Sequence, residues 1–282
     1  DNYFTRYKSE ENFSLLSSNT PESFFDQSLF KSELRSIFEI NKKNKLIIGF
    51  GITDESLKRN NFYKNKVTQS SFNYFVQYEG FIFENTNYIF GARYDQYDKY
   101  DSEFSPRFAL RTQLNDNISS KISIGKGFKT PDFRQLYFNF ANSSSGYSVI
   151  GFNAAKEIID DLLVKGQISN MIISENEFEG NLSPETSISF NLGFGIKTDN
   201  NISFDINFFR NQIKNLIDYK IIATKTNGQN IFSYYNLNKV YTQGLEFSSI
   251  FNLNDNINFK IGYQFLDAKD NDARSEEHTS EL

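Results

Sequence analysis

The sequence predicts an all-β chain: part of a transmembrane antiparallel β-barrel, about ten strands, with one long loop carrying a short helix. Three observations predict it. Apolar and polar residues alternate with period two in segment after segment, as strands do when one face meets an apolar medium and the other meets water. The segments reach ten or more residues, close to the roughly 9 to 11 that cross a bilayer when tilted and beyond the five or six common in globular sheets. The connections alternate short and long, the asymmetry of barrels with tight turns at one end and loops at the other.

Composition agrees. The 282 residues include 31 Phe and 16 Tyr, yet only 38% are hydrophobic, and mean hydropathy is -0.53. No run approaches the roughly 18 to 20 apolar residues of a membrane-spanning helix. A barrel escapes that test because only every second strand residue faces lipid. There is no cysteine, so no disulfide or thiolate chemistry is available. A net charge of -5 without a basic cluster speaks against nucleic acid as a partner.

Taken in order, residues 1–25 are polar and irregular and read as the end of a loop. Phe30 to Ile40 alternates, turns at Asn41–Asn44, and returns through Leu46, Ile48, Phe50 and Ile52. A polar connection over 56–66 leads to Phe72, Tyr74, Val76 and Tyr78, and a turn over 80–87 to Tyr88, Phe90, Ala92 and Tyr94. After 96–104 comes the clearest hairpin, Phe108 to Leu114 and Ile118 to Phe128 across Asn115-Asp116-Asn117. Asn and Asp tolerate the backbone angles that tight turns demand. Beyond a long interruption, Ile188 to Ile196 turns into Ile202 to Phe208. A polar excursion over 220–230 then precedes the last hairpin, Tyr241 to Leu253 and Ile257 to Phe265. The string Leu-Asn-Asp-Asn-Ile occurs at 114–118 and 253–257, which is reused turn chemistry rather than a duplicated domain.

The long loop, 130–185, is where a ligand-binding site is expected, because rigid scaffolds carry function on loops. Within it Ala155, Ile158, Ile159, Leu162 and Leu163 fall at helical spacing, predicting a short amphipathic helix over 154–164. Such a face usually packs its own loop; a lid over ligand is the sharper alternative. Arg134, Tyr137, Phe138 and Tyr147 are the ligand-contact candidates, since Arg and aromatic side chains are common recognition anchors. Phe133, nearest the strand, reads instead as a girdle aromatic at the membrane interface. Gly125-Lys126-Gly127 is no phosphate loop, because Pro131 follows closely, the third glycine is absent and the neighbouring strands are hairpins.

The strings Ser105–Phe138, Glu179–Lys197 and Tyr241–Leu253 resemble the barrel of TonB-dependent outer-membrane receptors, and Gly151–Met171 resembles a version common among Bacteroidota. In that family Gly127–Pro131 and Asn181–Thr186 flank a long loop. The resemblance runs from about Ser70 to Asp270. It implies a 22-stranded barrel plugged by an N-terminal domain, in the outer membrane of a Gram-negative bacterium. The partners implied are outer-membrane lipid, TonB acting through an N-terminal region, and a small nutrient ligand such as a siderophore or cobalamin-like chelate. A passive porin or a surface adhesin is the alternative.

Residues 1–273 are then expected to be a partial barrel lacking plug and final strands. Arg274–Leu282, Arg-Ser-Glu-Glu-His-Thr-Ser-Glu-Leu, matches a translated sequencing adapter and reads as a non-native tail. It contains His278, the single histidine. Without it no Ser–His dyad or imidazole metal site exists, so neither enzyme activity nor a cofactor or metal is expected.

Overall fold

The computed structural model describes residues 2–11, 23–142, 144–198, 201–254 and 257–270. Fourteen strands join one sheet. The long staves are β1 (Asn2–Glu11), β2 (Ser23–Asn41), β3 (Asn44–Arg59), β4 (Lys66–Phe83), β5 (Thr86–Tyr97), β6 (Glu103–Gln113) and β7 (Ile118–Lys129). They continue as β11 (Glu185–Lys197), β12 (Ile202–Lys225), β13 (Asn230–Asn254) and β14 (Ile257–Asp270). Between β7 and β11 the long loop supplies β8 (Asn139–Asn142), β9 (Tyr147–Ile150) and β10 (Ile168–Met171), with helices α1 (Phe133–Tyr137) and α2 (Phe152–Val164). Neighbouring staves pair antiparallel in chain order. The turns joining β2 to β3, β4 to β5, β6 to β7 and β11 to β12 therefore lie at one end of the wall, with the long loop and the β12–β13 turn at the other.

Turn chemistry holds the short end. Asn115 Oδ1 accepts from the Asn117 and Ile118 amides at 3.0 and 2.8 Å, and Asn41 Oδ1 accepts from the Lys43 amide at 2.9 Å. Asn201 takes a positive φ of 58°, which asparagine tolerates better than most side chains. The turn at 255–256 and the tail 274–282 lie outside the described residues.

The period-two pattern sorts the two faces as the sequence predicts. Leu34, Phe50, Tyr74, Tyr94 and Phe104 are mutual cross-strand partners in one register row, all exposed or half-buried on one face. The opposite face carries Gly49, Gly51, Gly91, Gly125, Gly193 and Gly195 among polar partners such as Asn73, Asp95, Arg107 and Asn207. Some of its charges are paired. Arg93 forks onto Asp95 with bonds of 2.8 to 3.0 Å, and Arg35 meets Glu33 at 2.6 Å. An apolar outside around a polar inside is a membrane barrel wall and not half of a soluble sandwich.

A single row shows the stagger of the staves. Phe38, near a tight turn, pairs with Leu46, then Tyr78, Phe90, Phe108, Ile124, Phe190, Arg210, Gln243 and Asp267 in succession. Seven apolar positions give way to three polar ones at β12. The row climbs obliquely, from the turn end at β2 to above the apolar band at β14, as tilted staves require.

Three expectations need correction. Residues 2–11 are not a loop end; they form β1, paired with β2. The polar stretches 56–66 and 220–230 are partly strand, since β3 reaches Arg59 and β12 reaches Lys225. Both staves project past the apolar band, where exposed polar residues suit a strand in water. Finally, Phe133 is 6% exposed within a core and is no girdle residue. It sits inside the folded loop, away from the lipid-facing surface.

Candidate ligand-binding face

The loop 130–184 folds into a cap on the projecting staves. β9 pairs parallel with β13, β8 pairs with β9, and β10 pairs with β12. The result is a local sheet in the order β8-β9-β13-β12-β10, with α2 as the crossover between β9 and β10. Ala154, Ala155 and Ile159 of α2 are fully buried with Ile222, Ala223 and Ile231 of the staves. The two alanines allow close approach, and each buried large aliphatic stabilises the cap by about 1.5 to 3 kcal/mol. Helix packing, not a free lid, is what the structure shows.

Alpha-helix α1 is fixed by a capping box. Asp132 Oδ1 accepts from the Gln135 amide at 2.7 Å, and Gln135 Oε1 accepts from the Asp132 amide at 2.9 Å. Phe133, Leu136 and Tyr137 turn into the core while Arg134 stays exposed. The Tyr137 carbonyl accepts from the Tyr63 amide at 2.8 Å, and the Phe138 carbonyl accepts from the Gly151 amide at 2.7 Å. This holds the segment after α1 between the β3–β4 connection and the start of α2.

A continuous series of rings results. Phe62 meets Phe138 edge-on at 6.3 Å, and Phe138 stacks on Phe140 at 5.5 Å and 11°. Phe140 adjoins Tyr147, Tyr147 adjoins Phe232, and Phe232 adjoins Tyr219, at 6.3, 6.3 and 6.0 Å. Arg59 lies over the rings of Phe25, Phe62 and Phe138 at 5.7, 5.9 and 5.3 Å. Burial lowers the Arg59 pKa, and the nearby positive charge of Arg134 lowers it further. Arg59 stands above the apolar band, whose last member on β3 is Ile52, so this pair belongs to the cap.

Other cations sit on rings in the same way. Lys64 lies over Tyr137, Lys99 over Phe133 and Lys220 over Tyr235, at 5.4, 5.8 and 5.9 Å. Among the described residues none of Arg59, Arg134, Lys64, Lys99 and Lys220 forms an ion pair with a carboxylate. The contrast with Arg35 and Arg93 on the inner wall is sharp. Those two guanidinium groups meet carboxylates; Arg59 and Arg134 in the cap do not.

Of the residues singled out from sequence, Phe138 and Tyr147 join one ring series through Phe140. Arg134 is exposed at its end, close to Arg59, and Tyr137 is 6% exposed in the core beneath. Sequence reasoning missed Arg59, Phe62, Phe140, Phe232 and Tyr219. Arg59–Lys64, Arg-Asn-Asn-Phe-Tyr-Lys, carries the signal for two of them: cations flanking aromatics in a supposed connection. No cluster of His, Cys, Asp or Glu among the described residues could hold a metal ion, and no described helix is long and apolar enough to cross a membrane.

Inner and outer faces, staggered staves and a capped mouth define an outer-membrane receptor barrel. The family model described as TonB dependent receptor-like, beta-barrel, matches residues 2–280, and the chain belongs to that family. It is 27% identical over 138 residues to a probable TonB-dependent siderophore receptor, PirA, of Acinetobacter baumannii. It is 25% identical over 160 residues to the ferrienterobactin receptor of Escherichia coli. These matches take in 48% and 55% of this chain but 16% and 19% of the relatives, so the chain spans only a fraction of their length.

Among solved structures, the siderophore receptor PirA of Pseudomonas aeruginosa superposes with a TM-score of 0.68 at 19% identity, over 88% of this chain and 44% of that one. A point mutant of the ferric enterobactin receptor PfeA of the same species, in complex with enterobactin, gives 0.63 at 16% identity, over 94% and 40%. At these identities the superpositions speak for the fold. The family consists of outer-membrane receptors and not enzymes.

Proposed function

We propose that this chain is the wall and one external loop of an importer for a ferric catecholate siderophore, energised through TonB by segments beyond it. The observation that carries the reading is the set of unpaired cations held on aromatic faces in the cap. A tris-catecholate iron complex presents planar rings and net negative charge. Rings stack on rings, and guanidinium groups bind anionic oxygens through directed hydrogen bonds. Arg59, Arg134, Phe138, Phe140 and Tyr147 are the contacts proposed. The related receptors are named for a siderophore and for ferric enterobactin, itself a catecholate. They support this reading over a cobalamin-like ligand. The cap then faces the outside of the cell and the tight turns face the periplasm.

The test is binding to the purified full-length receptor that carries this wall, titrated separately with ferric enterobactin, a ferric hydroxamate and cobalamin. Tight binding of the catecholate alone is expected, and weakening by roughly tenfold to a hundredfold in Arg59→Ala. Preference for cobalamin, or ligand-independent conductance of the porin kind, would overturn it.

A further inference from the structure

Asn215 lies inside the long strand β12, yet its φ is 55°. The other non-glycine with a positive φ among the described residues, Asn201, sits in the tight turn before that strand. Asparagine tolerates the left-handed region better than most side chains. Within a strand the angle persists only where the surroundings hold it, and such positions gather where a structure has something to position.

Two side chains hold it. Asn236 of β13 donates through Nδ2 to the Asn215 carbonyl at 2.8 Å and to the Ser183 carbonyl at 3.0 Å, and its Oδ1 accepts from the Ser183 amide at 2.8 Å. One side chain thus ties together β13, β12 and the chain about to enter β11. Glu185 of β11 works from the other edge of β12. That edge pairs with β11 up to Lys214 and with β10 from Ala223, so the Ile217 amide lies where neither strand reaches. Glu185 Oε1 accepts from it at 3.1 Å and pairs with Lys129 of β7, also at 3.1 Å. Ile217 is buried, and an amide there needs that acceptor.

Its place in the fold gives this arrangement a role. It lies above the last apolar row, Phe208 with Leu245 and Phe265, where the staves leave the wall and become part of the cap. Four residues beyond Asn215 stands Tyr219, and four before Asn236 stands Phe232. These two rings adjoin at 6.0 Å, and Phe232 meets Tyr147 edge-on at 6.3 Å. We infer that Asn215, Asn236 and Glu185 form a joint that sets the angle of the β12–β13 hairpin, and with it the position of Tyr147 against the ligand. Asn236 and Glu185 are positioning residues: they act on affinity through Phe232 and Tyr147. The effect on affinity rests on the catecholate reading; the joint itself does not.

The experiment takes two readings on the full-length receptor. The first needs no ligand. Nitroxide labels on Asn227→Cys, in the β12–β13 turn, and Lys269→Cys, on β14, report the hairpin angle as a distance by double electron–electron resonance. A narrow distribution is expected in the labelled parent, in Asn215→Gly, which keeps the backbone angle, and in Glu185→Gln, which keeps the acceptor for Ile217. A shifted or broadened one is expected in Asn236→Ala, Asn215→Val and Glu185→Ala. Distances unchanged in those three overturn the joint. The second reading is ferric enterobactin affinity. Asn236→Ala is expected to weaken binding by roughly tenfold, to add little once Tyr147→Ala is present, and to multiply with Arg59→Ala at the far end of the ring series. Equal multiplication in both backgrounds overturns the positioning role. Asn236→Asp, which keeps the acceptor for the Ser183 amide, takes the place of Asn236→Ala if that variant loses heat-modifiable migration. A wild-type receptor that ignores ferric enterobactin counts against the catecholate reading and leaves the distances to decide the joint.

Discussion

The ring of Phe75 reaches over Gly49, its direct cross-strand partner on the inner face of the wall. A Cβ at Gly49 would collide with the ring edge of Phe75, and Arg35 lies over the same ring at 5.8 Å. Phe209 and Gly244, also direct partners, repeat the arrangement on β12 and β13. An aromatic ring laid over a glycine covers backbone that no side chain protects. The two positions differ in one respect. A Cβ at Gly244 would also meet the carbonyl oxygen of Phe265, which is backbone and cannot turn aside.

Gly49→Ala is therefore expected to destabilise the barrel by about 1 to 3 kcal/mol, the usual cost of overpacking. Phe75→Ala in the same molecule should recover much of that loss, because the obstacle is a side chain. Gly244→Ala should not be rescued by Phe209→Ala. Urea midpoints of the refolded receptor, read as heat-modifiable migration, check both pairs. Equal rescue at the two sites would contradict the geometry.

Adjacent residues on β12 face opposite media. Phe204 stacks on Phe247 at 6.1 Å on the lipid side, whereas Asp205 pairs with Gly195 and Ser248 on the inner side. Phe204→Arg or Ile206→Lys should cost roughly 2 to 4 kcal/mol near the bilayer midplane. Asp205→Ala should be nearly silent. Folding into lipid vesicles at graded urea measures the difference, and equal costs would mean the faces are assigned the wrong way round.

The wall was legible because its signal is local. Phe30 to Ile40 or Ile188 to Ile196 declares strand and facing within one segment, and Asn115 declares its turn. The cap was legible only in α2, whose thirteen residues carry enough turns to show a period. The strands β8, β9 and β10 have four residues each, too few for alternation to register. Parallel pairing of Tyr147 with Asn230 joins segments far apart in sequence. β1 was missed for a related reason: Lys8, Glu10 and Glu11 make its sequence look like loop. At the site, Phe138 and Tyr147 could be named by residue type. Arg59 could not, because its role comes from Phe25, Phe62 and Phe138 converging on it from three separate segments.

The cap has its own core, so it should loosen without the barrel. Ile159 is fully buried in that core. Ile159→Ala removes buried methyl and methylene groups and should cost the cap about 2 to 5 kcal/mol. Limited proteolysis is expected to cut within 130–184 in the variant while heat-modifiable migration of the barrel is retained. Simultaneous loss of both would mean that cap and wall unfold together.

Tyr100 gives the cap a pH limit. It lies in the β5–β6 connection, packed against the cap core and meeting Tyr97 edge-on at 6.3 Å. Burial raises its phenol pKa well above the ordinary 10.0, helped by the neighbouring Tyr137, Asp98 and Asp132. The folded cap thus holds the proton more tightly than the unfolded chain does. The stabilisation is complete below about pH 10 and is lost as pH rises past that value, because only the unfolded phenol ionises freely there. Protease resistance of the cap should fall between about pH 10 and 11, and Tyr100→Phe should flatten that fall. An identical alkaline profile in the variant would place the transition elsewhere, with Tyr234 the next group to test, since burial raises its pKa too.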